Sequence, residues 1–290
     1  MSAAMDELLE TLDLTHLEDN VFRGRSPQAG WQRVFGGQVI GQALIAAQRT
    51  VASDRFVHSI HCYFLRPGNP NVPIDYHVDT LRNGMSFTTR RVVAHQDEKP
   101  IFAMSASFQI EEDGLEHYMP QPLNIPMPED LAGEKALVEQ IKDSLPENVK
   151  KYWGRERPVE LRPVSLKHYM SKDPLPPLQD MWLRTTGDVP DSRVVQAAVL
   201  GYLSDMTLLD TALFAHGRSI FDSDLQVASL DHSMWFHRPN KLDDWLLYSQ
   251  DSPNSSGARG FTRGSLYARD GSLVASVAQE GLIRQVKPKN

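Results

Sequence analysis

Cysteine is almost absent: one thiol, Cys62, stands among 290 residues, which excludes an intrachain disulfide and a scaffold held by one. Cys62 lies in the strand-like run Ile60-His61-Cys62-Tyr63-Phe64, where a packed structural thiol is expected, the usual fate of a free cysteine. Positive charge is also in short supply. With 30 Lys and Arg against 37 Asp and Glu, the net charge is -7. That argues against a nucleic-acid partner, since phosphate affinity needs basic clusters, and leaves room only for a local basic pocket. No uninterrupted apolar run reaches about 18 residues, so no integral membrane association is expected. The opening Met1-Ser2-Ala3-Ala4-Met5-Asp6-Glu7 lacks the basic start and apolar core of a secretory signal. It reads instead as a short amphipathic helix with Leu8, Leu9 and Leu12 on one side. The closing Val286-Lys287-Pro288-Lys289-Asn290 is not the Ser-Lys-Leu address, and a cytoplasmic location is expected.

Familiar catalytic signatures are missing as well. Gly84-Met85-Ser86-Phe87-Thr88 lacks the final glycine of a G-x-S-x-G elbow, so nothing supports an α/β-hydrolase serine. His58 and His61, three apart in a strand, face opposite sides, as do His232 and His237, five apart. Neither pair chelates a metal unaided, and no metal is expected. His58 is kept as a lesser candidate base or substrate contact. There is no glycine-rich phosphate loop, but Gly36-Gly37 stand at a helix start, where backbone N–H groups welcome an oxyanion or phosphate.

What the chain does contain is an internal repeat. Phe64-Leu65-Arg66-Pro67 recurs as Phe236-His237-Arg238-Pro239, an offset of 172. Val39-Ile40-Gly41-Gln42 resembles Val199-Leu200-Gly201-Tyr202 at 160, and Ala106-Ser107-Phe108-Gln109 resembles Ser276-Val277-Ala278-Gln279 at 170. The common order implies a duplicated unit of over 100 residues rather than a short-period solenoid. In the first copy an apolar helix over Gln38 to Val51 precedes strands over Val57 to Leu65, Phe87 to Ala94 and Ile101 to Ile110, with a tight turn at Asn83-Gly84. In the second, a helix over Arg193 to Phe214 precedes strands near Leu225–His237, Trp245–Gln250, Phe261–Arg269 and Leu273–Arg284, with a hairpin turn at Asp270-Gly271. Both helices are apolar nearly all round, hence buried. The expected class is α+β: antiparallel sheets wrapped around buried helices, the two sheets side by side so that an edge is hidden. The organisation expected is an N-terminal unit over 1–115, a connector over 116–155 that is proline-rich and then helical over Leu131 to Leu145, and a C-terminal unit over 156–290.

Three side chains stand out in the second copy. Asp205 interrupts Val199-Leu200-Gly201-Tyr202-Leu203-Ser204-Asp205-Met206, and a buried carboxylate is expensive unless bonded or used. Its counterpart 160 residues earlier is Ile45. Two readings stand: a functional carboxylate, or one that reaches solvent or a backbone N–H. Leu273, Ala275, Val277 and Gln279 share one face of a strand, which carries Gln279 inward as an amide able to donate and accept at once. The apparent counterpart Gln109 favours a structural role. Ser229 offers a small hydroxyl of a kind that in most strands does nothing chemical. Asp231 beside it is expected to hold the following loop.

At these residues the chain resembles the type II acyl-CoA thioesterases, bacterial and peroxisomal. The resemblance is carried by Val34-Phe35-Gly36-Gly37-Gln38-Val39-Ile40-Gly41-Gln42-Ala43, His58 to Gly68, Leu230-Asp231-His232-Ser233-Met234-Trp235-Phe236-His237-Arg238-Pro239, and Val274 to Gly281. It implies a double hot-dog fold, hydrolysis of medium- to long-chain fatty acyl-CoA without a cofactor, and assembly into a homo-oligomer, a dimer or tetramer. It also implies a catalytic trio of Asp205, Gln279 and, where threonine is common, Ser229. Arg66, Arg238 and Arg263 are candidate contacts for the CoA moiety. A hot-dog hydratase would carry a histidine five residues after the aspartate; here that residue is Asp210. A non-catalytic acyl-CoA sensor is the other alternative, against which stands a buried aspartate in one copy alone.

Overall fold

The computed structural model describes residues 2–27, 33–133 and 156–286, the side chains of Tyr169 and Met170 excepted. The first half runs α1 (Ala3–Leu12), β1 (Thr15–Glu18), β2 (Val21–Gly24), α2 (Gly36–Gln48), β3 (Phe56–Phe64), β4 (Ile74–Asn83), β5 (Phe87–Gln96) and β6 (Lys99–Gln109). The second runs β7 (Val159–Pro163), α3 (Lys167–Met170), β8 (Leu178–Thr185), α4 (Arg193–Ser204), a 3-10 turn at Leu208–Asp210, α5 (Thr211–Phe214), β9 (Leu225–Ser229), β10 (Asp231–Phe236), β11 (Leu246–Ser256), β12 (Arg259–Ala268) and β13 (Leu273–Gln285).

Alternation explains the strands. In β6, Phe102, Met104, Ala106 and Phe108 are all buried, because every second side chain of a strand meets the core. On the other side of that core lies α2, buried from Gly37 through Ala47, as its all-round apolar sequence requires. It crosses α4 at the repeat's two glycines. A Cβ on Gly41 would come within 3.0 Å of the Ala198 carbonyl oxygen, and one on Gly201 within 3.0 Å of Leu44. The amphipathic α1 buries Met5, Leu8 and Leu12.

The strands form one sheet in the order β1-β2-β4-β5-β6-β3-β10-β13-β12-β11-β8-β7, with β9 also on β13. Its two halves join where β3 pairs antiparallel with β10, from Tyr63 opposite Asp231 to Ser59 opposite Trp235. The expected side-by-side sheets are therefore one continuous double hot-dog, and the edge that each half would expose is satisfied by the other.

Several expectations need correction. The helix over Arg193 to Phe214 is broken after Ser204, and along α4 only the later part, Ala198 to Ser204 with the exception of Tyr202, is buried. The whole segment is apolar enough to span a bilayer, yet most of it lies inside the fold. The first copy has a further strand, β4, whose alternation stops after Ile74, Tyr76 and Val78 and whose far end is exposed. Asn83-Gly84 is no two-residue turn, since Asn83 pairs with Thr88. Asp270-Gly271 does turn tightly, with Gly271 at φ 87°. Two hairpin turns lay unread in the sequence, Asp97-Glu98 and Gly257-Ala258, with both residues of each left-handed, the hand that matches strand twist.

Of the connector, the proline-rich part is irregular and covers the outer face of the second half. Trp182 Nε1 donates to the Pro126 carbonyl at 2.8 Å, and Ile125 and Leu131 pack on a satellite cluster of Trp182, Trp245, Leu247 and Tyr267. Arg162 and Arg184 stack over Trp245 at 4.7 and 4.5 Å and share Glu160. Of the helix expected over Leu131 to Leu145, residues 134–145 lie outside the described residues.

Candidate active site

Asp205 caps the C-terminal end of α4, rather than sitting within a continuous helix as the sequence predicts. The chain then turns through Thr207, a β-branched residue with φ 63°, a conformation such side chains rarely adopt. Gln250 holds that turn, donating from Nε2 to Thr207 Oγ1 at 2.9 Å and accepting from Thr211 Oγ1 at 3.2 Å. Asp205 as a whole keeps a partial opening, but its carboxyl group is buried. That desolvation pushes its pKa up to about 7, against hydrogen bonds from Gln279, the Gly37 N–H and Ser229. Position opposes position here: the end of α4 disfavours negative charge, while the start of α2, reaching over from the other half, favours it.

Gln279, 1% exposed, is the hub. Its Nε2 donates to Asp205 Oδ1 at 3.1 Å and to Ser229 Oγ at 2.6 Å. Strand geometry places these groups. Ala275, Val277 and Gln279 do share the inner face of β13, as the alternation implies. On its flank β10 sets Ser233 opposite Ala278, whereas β9 sets Ser229 opposite Gly281. The register slips by one residue at Leu230-Asp231, so Ser229 faces inward diagonally from Gln279, within cross-strand reach. Asp231 holds this bulge by accepting the Glu280 N–H at 2.7 Å, the structural role expected of it.

The register also corrects the repeat alignment. Phe64 pairs with Phe102, and Phe236 with Ala275, so these strands correspond at an offset of 173, and Gln279 matches Ala106 rather than Gln109. Gln109 is of opposite parity and donates to Glu112 near the surface. In the first half, then, the places of Ser229 and Gln279 are filled by Val57 and Ala106, and that of Asp205 by Ile45.

Comparison with known proteins bears directly on this half-polar, half-hydrocarbon pair. Residues 24–109 match the acyl-CoA thioesterase N-terminal domain and residues 149–282 the acyl-CoA thioesterase family. Acyl-CoA thioesterase 2 of Haemophilus influenzae is 40% identical, across 98% of this chain and 99% of its own. The chain belongs to the acyl-CoA thioesterase family. That is a family of thioester hydrolases. Acyl-coenzyme A thioesterase 8 of Mus musculus is 42% identical over 96% of this chain and 88% of its own. The crystal structure of an acyl-CoA thioesterase II, TesB2, from Mycobacterium marinum superposes with a TM-score of 0.79 at 40% identity, covering 97% of this chain and all of that one.

Of the other candidate residues of this acyl-CoA thioesterase, His58 and the three arginines bond partners outside the trio. His58 sits at the bulge of β3, bonds Ser107 Oγ through Nε2 at 2.8 Å and has its pKa lowered by burial. Arg66 donates to the Pro100 carbonyl. Arg238 donates to the Leu273 carbonyl and lies over Tyr118 at 4.6 Å. Arg263 forms a two-pronged pair with Asp251. Gly36 and Gly37 do meet the trio, but at the carboxylate: the Gly37 N–H bonds Asp205, and a Cβ on Gly36 would lie 2.6 Å from Asp205 Oδ2. Cys62 is buried and donates to the His232 carbonyl at 2.9 Å, a packed thiol as expected. Sequence reasoning missed His232, fully buried beside Gln279, and Tyr248, whose hydroxyl braces the Ser204 carbonyl at 2.7 Å. The motif Leu230-Asp231-His232 carried the first; no signal pointed to the second.

Proposed function

We propose that this protein hydrolyses medium- to long-chain fatty acyl-CoA to the free fatty acid and CoA, through a water held by Asp205, Gln279 and Ser229. The observation that carries this reading is the Gln279 amide, which reaches Asp205 Oδ1 and Ser229 Oγ at once from a buried position, beside an aspartate that as a residue is not fully enclosed. The water gives a proton to Asp205 as its oxygen attacks the thioester carbonyl. The tetrahedral oxyanion is stabilised by N–H donors near the start of α2. It then collapses, the C–S bond breaks and the thiolate of CoA leaves, taking the proton from Asp205. A thiol with a pKa of about 8.5 leaves readily, so no strong general acid is needed. Val57, Ile60 and Ala106 suit the first half to acyl-chain contact rather than to a second active centre. The reading places the enzyme in the cytoplasm, as a homo-oligomer.

Release of CoA, followed with a thiol reagent across short, medium and long acyl-CoA, tests it. Binding without release favours a sensor, and hydration of crotonyl-CoA without release a hydratase; either result removes the proposal. Preference for short chains removes the chain-length part alone. The hydroxyl is tested separately. Ser229→Thr keeps turnover, whereas Ser229→Val lowers kcat by roughly tenfold or more, since it removes the hydroxyl that holds the water and supports the Asp205 carboxylate. Equal rates for Val and Ser show that the hydroxyl has no role.

A further inference from the structure

Two buried polar atoms at the trio, Gln279 Oε1 and His232 Nδ1, have no ordinary hydrogen-bond partner among the described residues. Orphaned buried atoms are costly, and these two belong together. Ser233 pairs with Ala278, so one step along the antiparallel ladder His232 stands directly opposite Gln279, on the same inner face, with the Cβ atoms about 5 Å apart. His232 is 0% exposed. Its other nitrogen, Nε2, lies 2.9 Å from Ser204 Oγ, in the residue just before Asp205. Burial pushes the imidazole down to about 4, and the Gln279 side chain is what opposes that fall, so the ring is neutral and carries one proton.

We propose that His232 is a positioning residue: its Nδ1–H donates to Gln279 Oε1, and so fixes the carboxamide with Nε2 toward Asp205 and Ser229. This rests on the catalytic reading above. Proton counting selects the tautomer. An ionised carboxylate 3.1 Å from the amide requires Nε2 on its side, since the flipped amide would set carbonyl oxygen against carboxylate oxygen. That leaves Oε1 facing His232, which must then donate. The Ser204 hydroxyl lies 2.9 Å from both the Gly201 carbonyl, to which it can donate, and Nε2; in this tautomer its one proton turns from the carbonyl to Nε2. The duplicated half agrees. The places of His232 and Gln279 are there taken by Ile60 and Ala106, which pair across β3 and β6 and are 0% and 1% exposed. A histidine needed only for packing would have no reason to appear where the glutamine does and to be isoleucine where the glutamine is alanine.

Nitrogen NMR of the histidine-labelled wild-type protein reads the tautomer without any variant. The expected result is a protonated, pyrrole-type Nδ1 on His232, and an unprotonated Nδ1 overturns the proposal. Two substitutions test the consequence. In His232→Asn the amide nitrogen falls near the place of Nδ1 and keeps the donor; in His232→Gln it falls near Nε2 and loses it. His232→Gln is expected to lower kcat by up to about a hundredfold, the scale of a misplaced reacting group, with KM little changed. Its acid limb also moves to higher pH, as the freed amide no longer supports the Asp205 carboxylate. His232→Asn restores most of kcat and the wild-type limb. Equal rates in all three proteins, or equal losses in both variants, overturn it. If Asp205→Asn keeps wild-type turnover, the catalytic reading fails, while the tautomer still decides the hydrogen bond.

Discussion

Asp205→Asn is expected to lower kcat by roughly two to four orders of magnitude, the range for a general acid–base group, in a protein that folds and binds acyl-CoA. The substitution keeps shape and removes charge, so Gln279, Ser229 and the Gly37 N–H still have an oxygen to bond. The pH dependence is the sharper test. With its carboxyl pushed up to about 7 by burial, the wild-type enzyme gains activity as pH rises through about 7 and levels off above, because only the ionised form accepts the water's proton. The residual activity of the variant loses that limb. Stability moves the other way. Between the ordinary 3.8 and about 7 the folded chain holds a proton at Asp205 that the unfolded chain has released, so this group by itself lowers stability as pH rises through the window. His168 and His232, whose pKa values burial lowers, act in the opposite direction. Asp210, also raised to about 7 by burial, adds to the wild-type slope and remains in the variant. The difference between the two proteins isolates Asp205: relative to wild type, Asp205→Asn is more stable at pH 8 than at pH 5 in urea titrations. A folded variant with wild-type kcat, or an unchanged acid limb, defeats the assignment.

Gly37→Ala is expected to damage both fold and catalysis by one contact. An added Cβ would lie 2.3 Å from the Tyr202 carbonyl oxygen and 2.5 Å from the Phe35 ring. The first is backbone in α4, so relief requires the two central helices to part. Overpacking of this kind costs about 1–3 kcal/mol. Parting them also withdraws the Gly37 N–H from Asp205, one of the groups that hold its pKa down. The carboxyl then rises further, the acid limb moves to higher pH, and kcat at neutral pH falls more than stability alone explains. Gly114→Ala is the control, since no atom of the described residues lies within 4 Å of a Cβ there. A Gly37→Ala protein with the control's denaturation midpoint and an unshifted limb would show that the two helices do not meet as described.

Much of this site could be read residue by residue. Asp205 was conspicuous because charge interrupts an apolar run, and Gln279 because Ala275 and Val277 set its face of the strand. The repeat motif around Phe64 and Phe236 anchored the correct duplication. The matching of Gln109 with Gln279 failed for a physical reason: similarity between short runs tolerates a slip of three residues, while a strand's parity does not. Ser229 was weak in sequence because its inward direction depends on a one-residue bulge at Leu230-Asp231, which nothing local announces. His232 was hidden by the same bulge. Ser229 and His232 are three apart, so a regular strand would point them to opposite faces.

By itself the amino-acid order determined a duplicated unit of antiparallel sheet around a buried helix and the inward face of β13, since these follow from the repeat, from periodicity and from the transfer of hydrocarbon out of water, all of which are local properties summed along the chain. Only the tertiary structure decided that the first half's helix start serves the second half's carboxylate, that Ser229 and His232 converge on one glutamine, and that the first half carries hydrocarbon at each matching place. Those relations depend on register, on a bulge and on the approach of two helices at glycines, and they exist only once distant segments are packed together.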